Sequence, residues 1–353
     1  MQLCQVVKKL ELFAANTLAA KWDNVGLLLE PSAPHTVSRI LLTNDLTEPV
    51  LDEAIRLNTD FIVAYHPPIF VPMKRLTQSS WKERLLVKCI ENRIAIFSPH
   101  TSYDTLKGGV NDWLISPFRG VVTPLETAIS SKYPGTSGGY RLQVTVPEGV
   151  VGQFMSKFSG QNHLQGVSVI MQISVGMEGS KCSRVCLNCD EKSLTQVVAY
   201  VNQFGQISNT MEILPMAKAP MPGYGEGRRC ALERAVSVMT AVNLMKTHLG
   251  LSHVRLALAL ETTLDSNIKS VAVCAGSGSS VLKDVAADLY VTGEMGHHDV
   301  IDATQRGTTV ILCEHSNSER GYLTVLCSKL QGLFGSQVTI SQSKVDADPL
   351  VVI

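Results

Sequence analysis

The chain has 353 residues, of which 45% are hydrophobic and 18% are charged. This composition supports a buried core and excludes intrinsic disorder, and the length predicts two domains or one domain with a large insertion. The 31 basic residues balance the 31 acidic ones, so no net charge favours binding to nucleic acid or to an anionic membrane.

Targeting and redox features are those of an intracellular protein. No apolar run approaches the 18 to 20 residues that cross a bilayer. Residues 1–24 have the period of an amphipathic helix and carry acidic side chains, unlike a signal or transit peptide. We expect a cytoplasmic protein, with the nucleus as the alternative. Nine cysteines, some within strand patterns such as Cys274 and Cys313, predict free thiols.

Two outer segments alternate strand-like and helix-like stretches, which is typical of βαβ units in a largely parallel sheet. In the first segment, the predicted strands are 38–45, 60–66 and 93–100, and the predicted helices are 49–58 and 81–92. In the second segment, the predicted strands are 253–260, 270–280, 288–298 and 309–316, and the predicted helices are 281–286, 298–305 and 319–330. The fold class is therefore α/β, with two similar halves.

The middle of the chain has a different pattern. Strand, helix, strand, strand, helix and strand follow one another between residues 132 and 220, the order of a ferredoxin-like βαββαβ domain. We interpret 1–131 as the first α/β half, 132–220 as an inserted domain, and 221–353 as the second half, which completes the site.

Five histidines follow apolar strands, where sites form in open parallel sheets. They are His66, His100, His297, His298 and His315. Any single one is as readily a hydrogen-bonded loop residue, but five together indicate a site.

Two of these histidines have a carboxylate four residues later: His100 with Asp104, and His315 with Glu319. Residues four apart share a face of a helix, so each pair could reach one ion. The alternative is a helix-surface pair or a helix cap. Imidazole and carboxylate predict a divalent metal without distinguishing Zn, Mn, Fe, Co and Ni.

Other motifs are less specific. Gly276, Ser277, Gly278 and Ser279 form either a loop that binds an anion through backbone N–H groups or a tight turn. No lysine follows these glycines, which excludes a Walker nucleotide site. Cys182, Cys186 and Cys189 lack a second ligand pair and are not expected to bind zinc.

Seven segments together resemble the Nif-three-like family. They are Trp22–Glu30, Leu42–Glu48, Tyr65–Phe70, Ser98–Asp104, Gly276–Ser280, Thr292–Asp299 and Cys313–Gly321. The resemblance implies an α/β protein that forms a ring-like homo-oligomer and holds two metal ions in its cavity.

By motif, the resemblance places the family's ligands on His66, Asp104, His315 and Glu319, with Glu319 between the ions. Tyr65 stands where bacterial members carry a second histidine, which predicts nearer one ion per chain than two. Candidates for supporting the ligands or for contacting substrate are Tyr65, His100, Glu294, His297, His298 and Arg320.

We carry three hypotheses of function. The family's name favours an interaction factor that regulates transcription through protein partners, and Tyr65 supports it by weakening the metal site. The alternative is a metal-dependent hydrolase, similar to type-two GTP cyclohydrolases. A further alternative is metal storage or delivery.

Overall fold

The structure is a computed structural model that describes residues 1–134, 138–158, 164–177 and 180–352. The chain forms two compact units. The outer unit comprises residues 1–128 and 222–353, and the inserted unit comprises residues 129–221. Within the described residues, no helix is both long and apolar enough to cross a membrane.

The first part of the outer unit contains five α-helices and five strands. In chain order they are α1 (Leu3–Phe13), β1 (Gly26–Leu29), β2 (Arg39–Thr43), α2 (Glu48–Arg56), β3 (Phe61–Ala64), α3 (Trp81–Glu91), β4 (Ala95–Ser98), α4 (Thr101–Thr105), α5 (Val110–Ile115) and β5 (Gly120–Ile129). β3 and β4 are buried throughout, as their continuous apolar sequences require. The Ser80 side chain caps α3 by accepting a hydrogen bond from the Glu83 backbone.

The inserted unit is ferredoxin-like. Its elements are β6 (Tyr140–Pro147), α6 (Glu148–Met155), β7 (Val167–Met177), β8 (Ser180–Cys189), α7 (Glu191–Val201), α8 (Gly205–Ser208) and β9 (Glu212–Pro215). The sheet order is β7-β8-β6-β9 and all its pairs are antiparallel, which is the arrangement that βαββαβ connectivity produces. Cys182, Cys186 and Cys189 lie on β8, and all nine cysteines of the chain are free thiols.

The second part of the outer unit completes the fold. Its elements are β10 (Pro220–Ser237), α9 (Val238–Leu249), β11 (Arg255–Ala257), β12 (Asn267–Ser277), α10 (Ser279–Leu282), β13 (Leu289–Glu294), α11 (His297–Gln305), β14 (Thr309–Leu312), α12 (Tyr322–Phe334) and β15 (Thr339–Gln342).

The two parts repeat one sheet topology. The first sheet has the order β1-β4-β3-β2-β15, and the second has the order β11-β14-β13-β12-β10-β5. In the first sheet β2, β3 and β4 are parallel neighbours, and the antiparallel edge strand β1 lies beside β4. In the second sheet β12, β13 and β14 are parallel neighbours, and the antiparallel edge strand β11 lies beside β14. In each sheet the edge strand comes before the other three in the chain. Each part also gives its last strand to the other sheet, because β5 pairs with β10 and β15 pairs with β2. The two halves are therefore similar and are interlocked by this exchange.

Three predicted helices differ from the structure. The helical period of residues 1–24 corresponds to a helix only over Leu3–Phe13, which ends at the extended backbone of Ala14. The helix predicted over 281–286 is the short α10, because Asp284 takes a left-handed backbone (φ 64°) that ends it. The helix predicted over 319–330 begins at Tyr322 and continues to Phe334. His315 and Glu319 consequently flank a 3₁₀ turn, Ser316–Ser318, and do not share a helix face.

Candidate metal centre

Three side chains from two distant parts of the chain converge at the carboxyl ends of the parallel strands. His66 follows β3, His315 follows β14, and Glu319 follows the 3₁₀ turn. The Nε2 atoms of His66 and His315 lie 3.4 Å from Glu319 Oε2 and Oε1, respectively. The two imidazole centroids are 5.2 Å apart. Each residue contributes one ligand atom, and these atoms all lie within 4.8 Å of one another.

Gly276 makes room for this group. It is the last residue but one of β12 and has a positive φ of 63°, and a Cβ atom there would lie 2.6 Å from Glu319 Oε1 and 3.1 Å from His315 Nε2. Any other residue would therefore push against two of the three candidate ligands. The backbone N–H of Gly276 is also bonded, to Ser318 Oγ at 2.8 Å.

A second carboxylate contacts Nδ1 of each histidine ring, the nitrogen that does not face Glu319. His66 Nδ1 lies 2.9 Å from Asp45 Oδ1, and His315 Nδ1 lies 3.0 Å from Glu294 Oε2. This contact fixes Nδ1 as the protonated atom and leaves Nε2 of each ring facing Glu319. The buried Asn44 amide donates to Glu319 Oε2 at 3.1 Å and so restrains the carboxylate.

The carboxylates also control the charge of His66. Burial alone would lower the pKa of this imidazole, but hydrogen bonds and charge from Asp45 and Glu319 raise it to about 10. Burial likewise opposes ionisation of Asp45, yet its bond to His66 leaves the Asp45 pKa below its usual value. In the absence of a cation, the site therefore holds a proton on His66.

Asp104 lies outside the group of three in the described part of the chain. Its Oδ1 accepts a hydrogen bond of 2.5 Å from the buried Tyr65 hydroxyl. Burial raises the pKa of Asp104 to about 7, with a contribution from the negative charge of Glu319 that the Tyr65 bond opposes. Burial and the charges of Asp104 and Glu319 raise the Tyr65 pKa well above 10, so the phenol stays protonated and donates to Asp104.

His100 is held by a residue that the candidate set did not include. Its Nδ1 lies 2.7 Å from Asp23 Oδ1, and Asp23 also accepts from the backbone N–H and the hydroxyl of Thr101. The His100 ring is 5.4 Å from the His66 ring, centroid to centroid. His100 therefore borders the candidate ligands from the side of the first sheet.

The remaining candidates have other positions. His297 and His298 begin α11, are exposed, and lie outside the group of three among the described residues. Arg320 lies 3.7 Å from Asp45 Oδ2 and donates to Ser316 Oγ at 2.9 Å. In the candidate anion loop, the backbone N–H of Gly278 donates to Thr292 Oγ1, so neither this N–H nor that of Gly276 is free for an anion.

A cavity of about 510 Å³ opens beside the candidate ligands. His66 and His315 line it, together with the apolar side chains of Pro67, Trp81 and Leu350. Its carboxyl-terminal wall is anchored by Asp346, which accepts from the Asn44 backbone at 2.7 Å, and by Asp348, which accepts from Ser316 Oγ at 2.6 Å. A ligand of the size of a small metabolite fits this volume.

Sequence reasoning missed several residues that hold the site. Asn44, Asp45 and Asp23 stand within the motifs of Leu42–Glu48 and Trp22–Glu30, and their position after or before a strand was the available signal. No sequence pattern indicated Asp346 and Asp348. They lie at the site because the segment after β15 passes beside Asn44 and Ser316.

Comparison with known proteins identifies the family. The family model described as Duf34/NIF3 (NGG1p interacting factor 3) matches residues 1–349. The chain belongs to the Duf34/NIF3 family. It is 46% identical over 355 residues to NIF3-like protein 1 of Mus musculus, covering 100% of this chain and 93% of the mouse protein. It is 30% identical over 364 residues to the NGG1-interacting factor 3 of Saccharomyces cerevisiae, covering 99% of this chain and 97% of the yeast protein.

Solved structures share the fold of this chain. A Staphylococcus aureus protein, SA1388, matches with a TM-score of 0.75 at 22% identity and covers 100% of this chain and 99% of its own. HcgD from Methanocaldococcus jannaschii matches with a TM-score of 0.61 at 19% identity, over 98% of this chain and 98% of its own. At these identities the likeness concerns the fold.

The group of three suits a divalent ion by its chemistry. Two imidazole nitrogens and one carboxylate are ligands that Zn, Mn, Fe, Co and Ni accept, and both rings already present Nε2. Gly276 keeps open the space beside Glu319 and His315 that a Cβ atom would fill. The residues present therefore fit a metal ion at His66, His315 and Glu319.

Proposed function

We propose that this Duf34/NIF3 protein is a metal-dependent hydrolase acting on a small molecule. The observation that carries the proposal is that His66, His315 and Glu319 group together and that both histidines also line the 510 Å³ cavity. A site with three protein ligands beside open space is typical of catalytic metal centres, whereas structural zinc sites are closed by a fourth protein ligand.

A divalent ion bound there would acidify a water molecule and polarise a phosphoryl or carbonyl oxygen. Asp45 and Glu294 orient the ligand rings, and Asn44 orients Glu319. Pro67, Trp81 and Leu350 give the cavity an apolar wall that displaces bulk water from a bound substrate.

Tyr65 supported the family's name in favouring a purely interacting role, and the geometry weakens that support. The three candidate ligands converge without any contribution from the residue at position 65. Tyr65 is engaged instead with Asp104, through a hydroxyl that stays protonated. One complete site is sufficient for water activation, so a second ion is not required.

The test uses purified protein loaded separately with Zn²⁺, Mn²⁺, Fe²⁺, Co²⁺ or Ni²⁺, with bound metal measured by mass spectrometry. Hydrolysis of p-nitrophenyl phosphate, its diester and GTP is then followed for wild type, Glu319→Gln and the control His298→Ala. We expect hydrolysis that depends on the metal, is lost in Glu319→Gln and persists in His298→Ala. Metal uptake without turnover of any substrate would favour storage or delivery.

A second candidate function is that of a protein-interaction factor that regulates transcription. It is supported by the name of the yeast relative, NGG1-interacting factor 3. A cytoplasmic and nuclear location and a homo-oligomer belong to the same proposal. If this role is independent of the metal, a cell carrying His315→Ala keeps the wild-type phenotype and partners. Loss of the phenotype with partner binding intact would favour the hydrolase.

A further inference from the structure

The segment that follows β15 lies against the candidate metal centre. We call residues 343–350 of this segment the strap. The strap leaves the first sheet at the end of β15, and its residues 347–350 form part of the wall of the 510 Å³ cavity. His66 and His315 line the same cavity. The strap therefore encloses one side of the space that a substrate would enter.

Polar contacts hold the strap in place. The apolar side chains of the strap, at positions 345, 347, 349 and 350, are all exposed. At its start, the buried carboxylate of Glu53 on α2 accepts hydrogen bonds from the Ser343 hydroxyl and the Lys344 backbone N–H. A segment without buried apolar side chains opens at a low cost in free energy. The strap can thus dock and release while the sheets stay folded.

Asp346 connects the strap to Glu319. Its side chain is 3% exposed, and its Oδ2 atom accepts from the Asn44 backbone N–H at 2.7 Å and lies 3.4 Å from Arg320 Nε. The Asn44 amide in turn donates to Glu319 Oε2, and Arg320 is the residue after Glu319. Asp346 therefore holds both the residue that bonds the candidate ligand and the residue that follows it.

The strap also connects to both histidine ligands. Asp348 accepts a hydrogen bond of 2.6 Å from the hydroxyl of Ser316, the residue after His315. The guanidinium of Arg320, which faces the strap, lies 3.7 Å from the carboxylate that contacts His66 Nδ1. Each of the three candidate ligands is thus linked to the strap by a short series of buried or half-buried contacts.

We propose that docking of the strap and binding of a metal ion stabilise each other, because Asp346 and Asp348 position the segments that carry the three ligands. This inference rests on the metal centre of the proposed function, and it adds a closure of the cavity that accompanies metal binding. Coupling between two sites is reciprocal. A change that undocks the strap therefore weakens metal binding, up to the factor by which metal binding favours docking.

The experiment measures the strap and the metal separately. Hydrogen–deuterium exchange, followed by mass spectrometry, reports the docking of the strap with and without Zn²⁺. Competition with a chromophoric chelator gives the Zn²⁺ affinity of the same protein. In wild type we expect bound Zn²⁺ to slow the exchange of the strap amides by about 5-fold or more, the lower end of typical coupling between sites.

Glu53→Ala tests the coupling from the start of the strap. Glu53 holds Ser343 and Lys344, outside the part of the strap that contacts the metal centre. The variant should speed the exchange of the strap and weaken Zn²⁺ binding about 5-fold. Asp52→Ala is the matched control, because Asp52 is the neighbouring carboxylate on α2 and pairs with Lys88 at the surface. It should change neither quantity.

Variants of Asp346 test its role as a positioning residue. Asp346→Ala should weaken Zn²⁺ binding about 10- to 100-fold and change the visible absorption of Co²⁺-loaded protein, because the ligands shift around the ion. Asp346→Asn keeps an oxygen that accepts from the Asn44 backbone and should recover part of the affinity. Val345→Ala changes an exposed side chain of the same strap and should bind Zn²⁺ as wild type does.

Three results would overturn the inference. The first is that Zn²⁺ binds to wild type without slowing the exchange of the strap. The second is that Glu53→Ala speeds this exchange and leaves the Zn²⁺ affinity unchanged, which would make the strap a wall without a link to the metal. The third is that Asp346→Ala binds Zn²⁺ as tightly as wild type.

The proposed function and the strap can fail separately. Uptake of Zn²⁺ with an unaffected strap would count against the strap alone. A strap that responds to Zn²⁺ in a protein that hydrolyses no substrate would count against the hydrolase alone. Wild-type protein that takes up no metal would contradict both.

Discussion

The two halves of the outer unit carry the same pattern at the same place and use it differently. β4 is followed by His100 and Asp104, and β14, the equivalent strand of the second sheet, is followed by His315 and Glu319. In the second half both residues belong to the candidate ligand group. In the first half His100 is bound to Asp23 and Asp104 to Tyr65. Equal spacing at equivalent strand ends therefore does not give equal chemistry, because the neighbouring side chains decide which groups remain available to an ion.

The largest effect is expected when the carboxylate of each pair, Glu319 or Asp104, is removed. Glu319→Gln should lower metal affinity by at least about 100-fold, because a ligand is lost and not merely a supporting residue. Asp104→Asn should change it far less. Metal content after dialysis against competing chelators, measured on folded protein, makes the comparison. Equal losses in the two variants would return Asp104 to the ligand set.

The second test disturbs the backbone beside the ligands of the second half. Gly276→Ala should weaken metal binding by about 10- to 100-fold, since the added Cβ would lie 2.6 Å from Glu319 Oε1. The left-handed backbone should also cost about 1 to 2 kcal/mol of stability. Gly250→Ala is the matched control, because Gly250 also has a left-handed backbone (φ 68°, ψ 28°) and a Cβ there meets nothing within 4 Å. Only the stability change should appear in the control, by thermal melting and metal titration.

The third test follows the proton that His66 holds. Its pKa is raised to about 10, so from about pH 6.5 up to pH 10 the folded, metal-free site binds a proton that an ion must displace. Metal affinity should therefore rise by about tenfold per pH unit between pH 7 and 9. Calorimetry in buffers of different ionisation enthalpy counts the released proton.

The Asp45→Asn variant tests whether the displaced proton comes from His66. It removes one of the two carboxylates that raise the His66 pKa, so the pH dependence above pH 7 should become shallower. An unchanged slope would mean that His66 is not the group that is displaced.

The smallest expected effect concerns the first half. Tyr65→Phe removes the hydroxyl that donates to Asp104 and should cost about 1 to 3 kcal/mol of stability at neutral pH, because a buried carboxyl loses its partner. Since that bond lowers the Asp104 pKa, the pKa should rise further in the variant. Denaturant melts report the stability, and metal content should stay unchanged. A change in metal content would show that Tyr65 acts on the site.

Much of the fold could be predicted from the sequence, because the patterns that indicate it are local. The strand and helix periods of both outer segments and the order of elements in the inserted unit predicted the α/β class and the ferredoxin-like sheet. The short β1 was missed, as were the pairings of β5 and β15 with sheets of the other half. The β5 and β15 pairings join residues about 100 and 300 positions apart in the chain, which no local period encodes.

The sequence by itself determined the residue types of the site and their position after strands, because parallel strands bring their carboxyl ends to one edge. It placed His66, His315 and Glu319 among the candidates, and it resembled the family that comparison then established. Only the tertiary structure decided which candidates meet. Asp45, Glu294 and Asn44 orient one set toward a common point, whereas Asp23 and Tyr65 engage His100 and Asp104. These are contacts between strand ends far apart in the chain, and they form only when both sheets have folded.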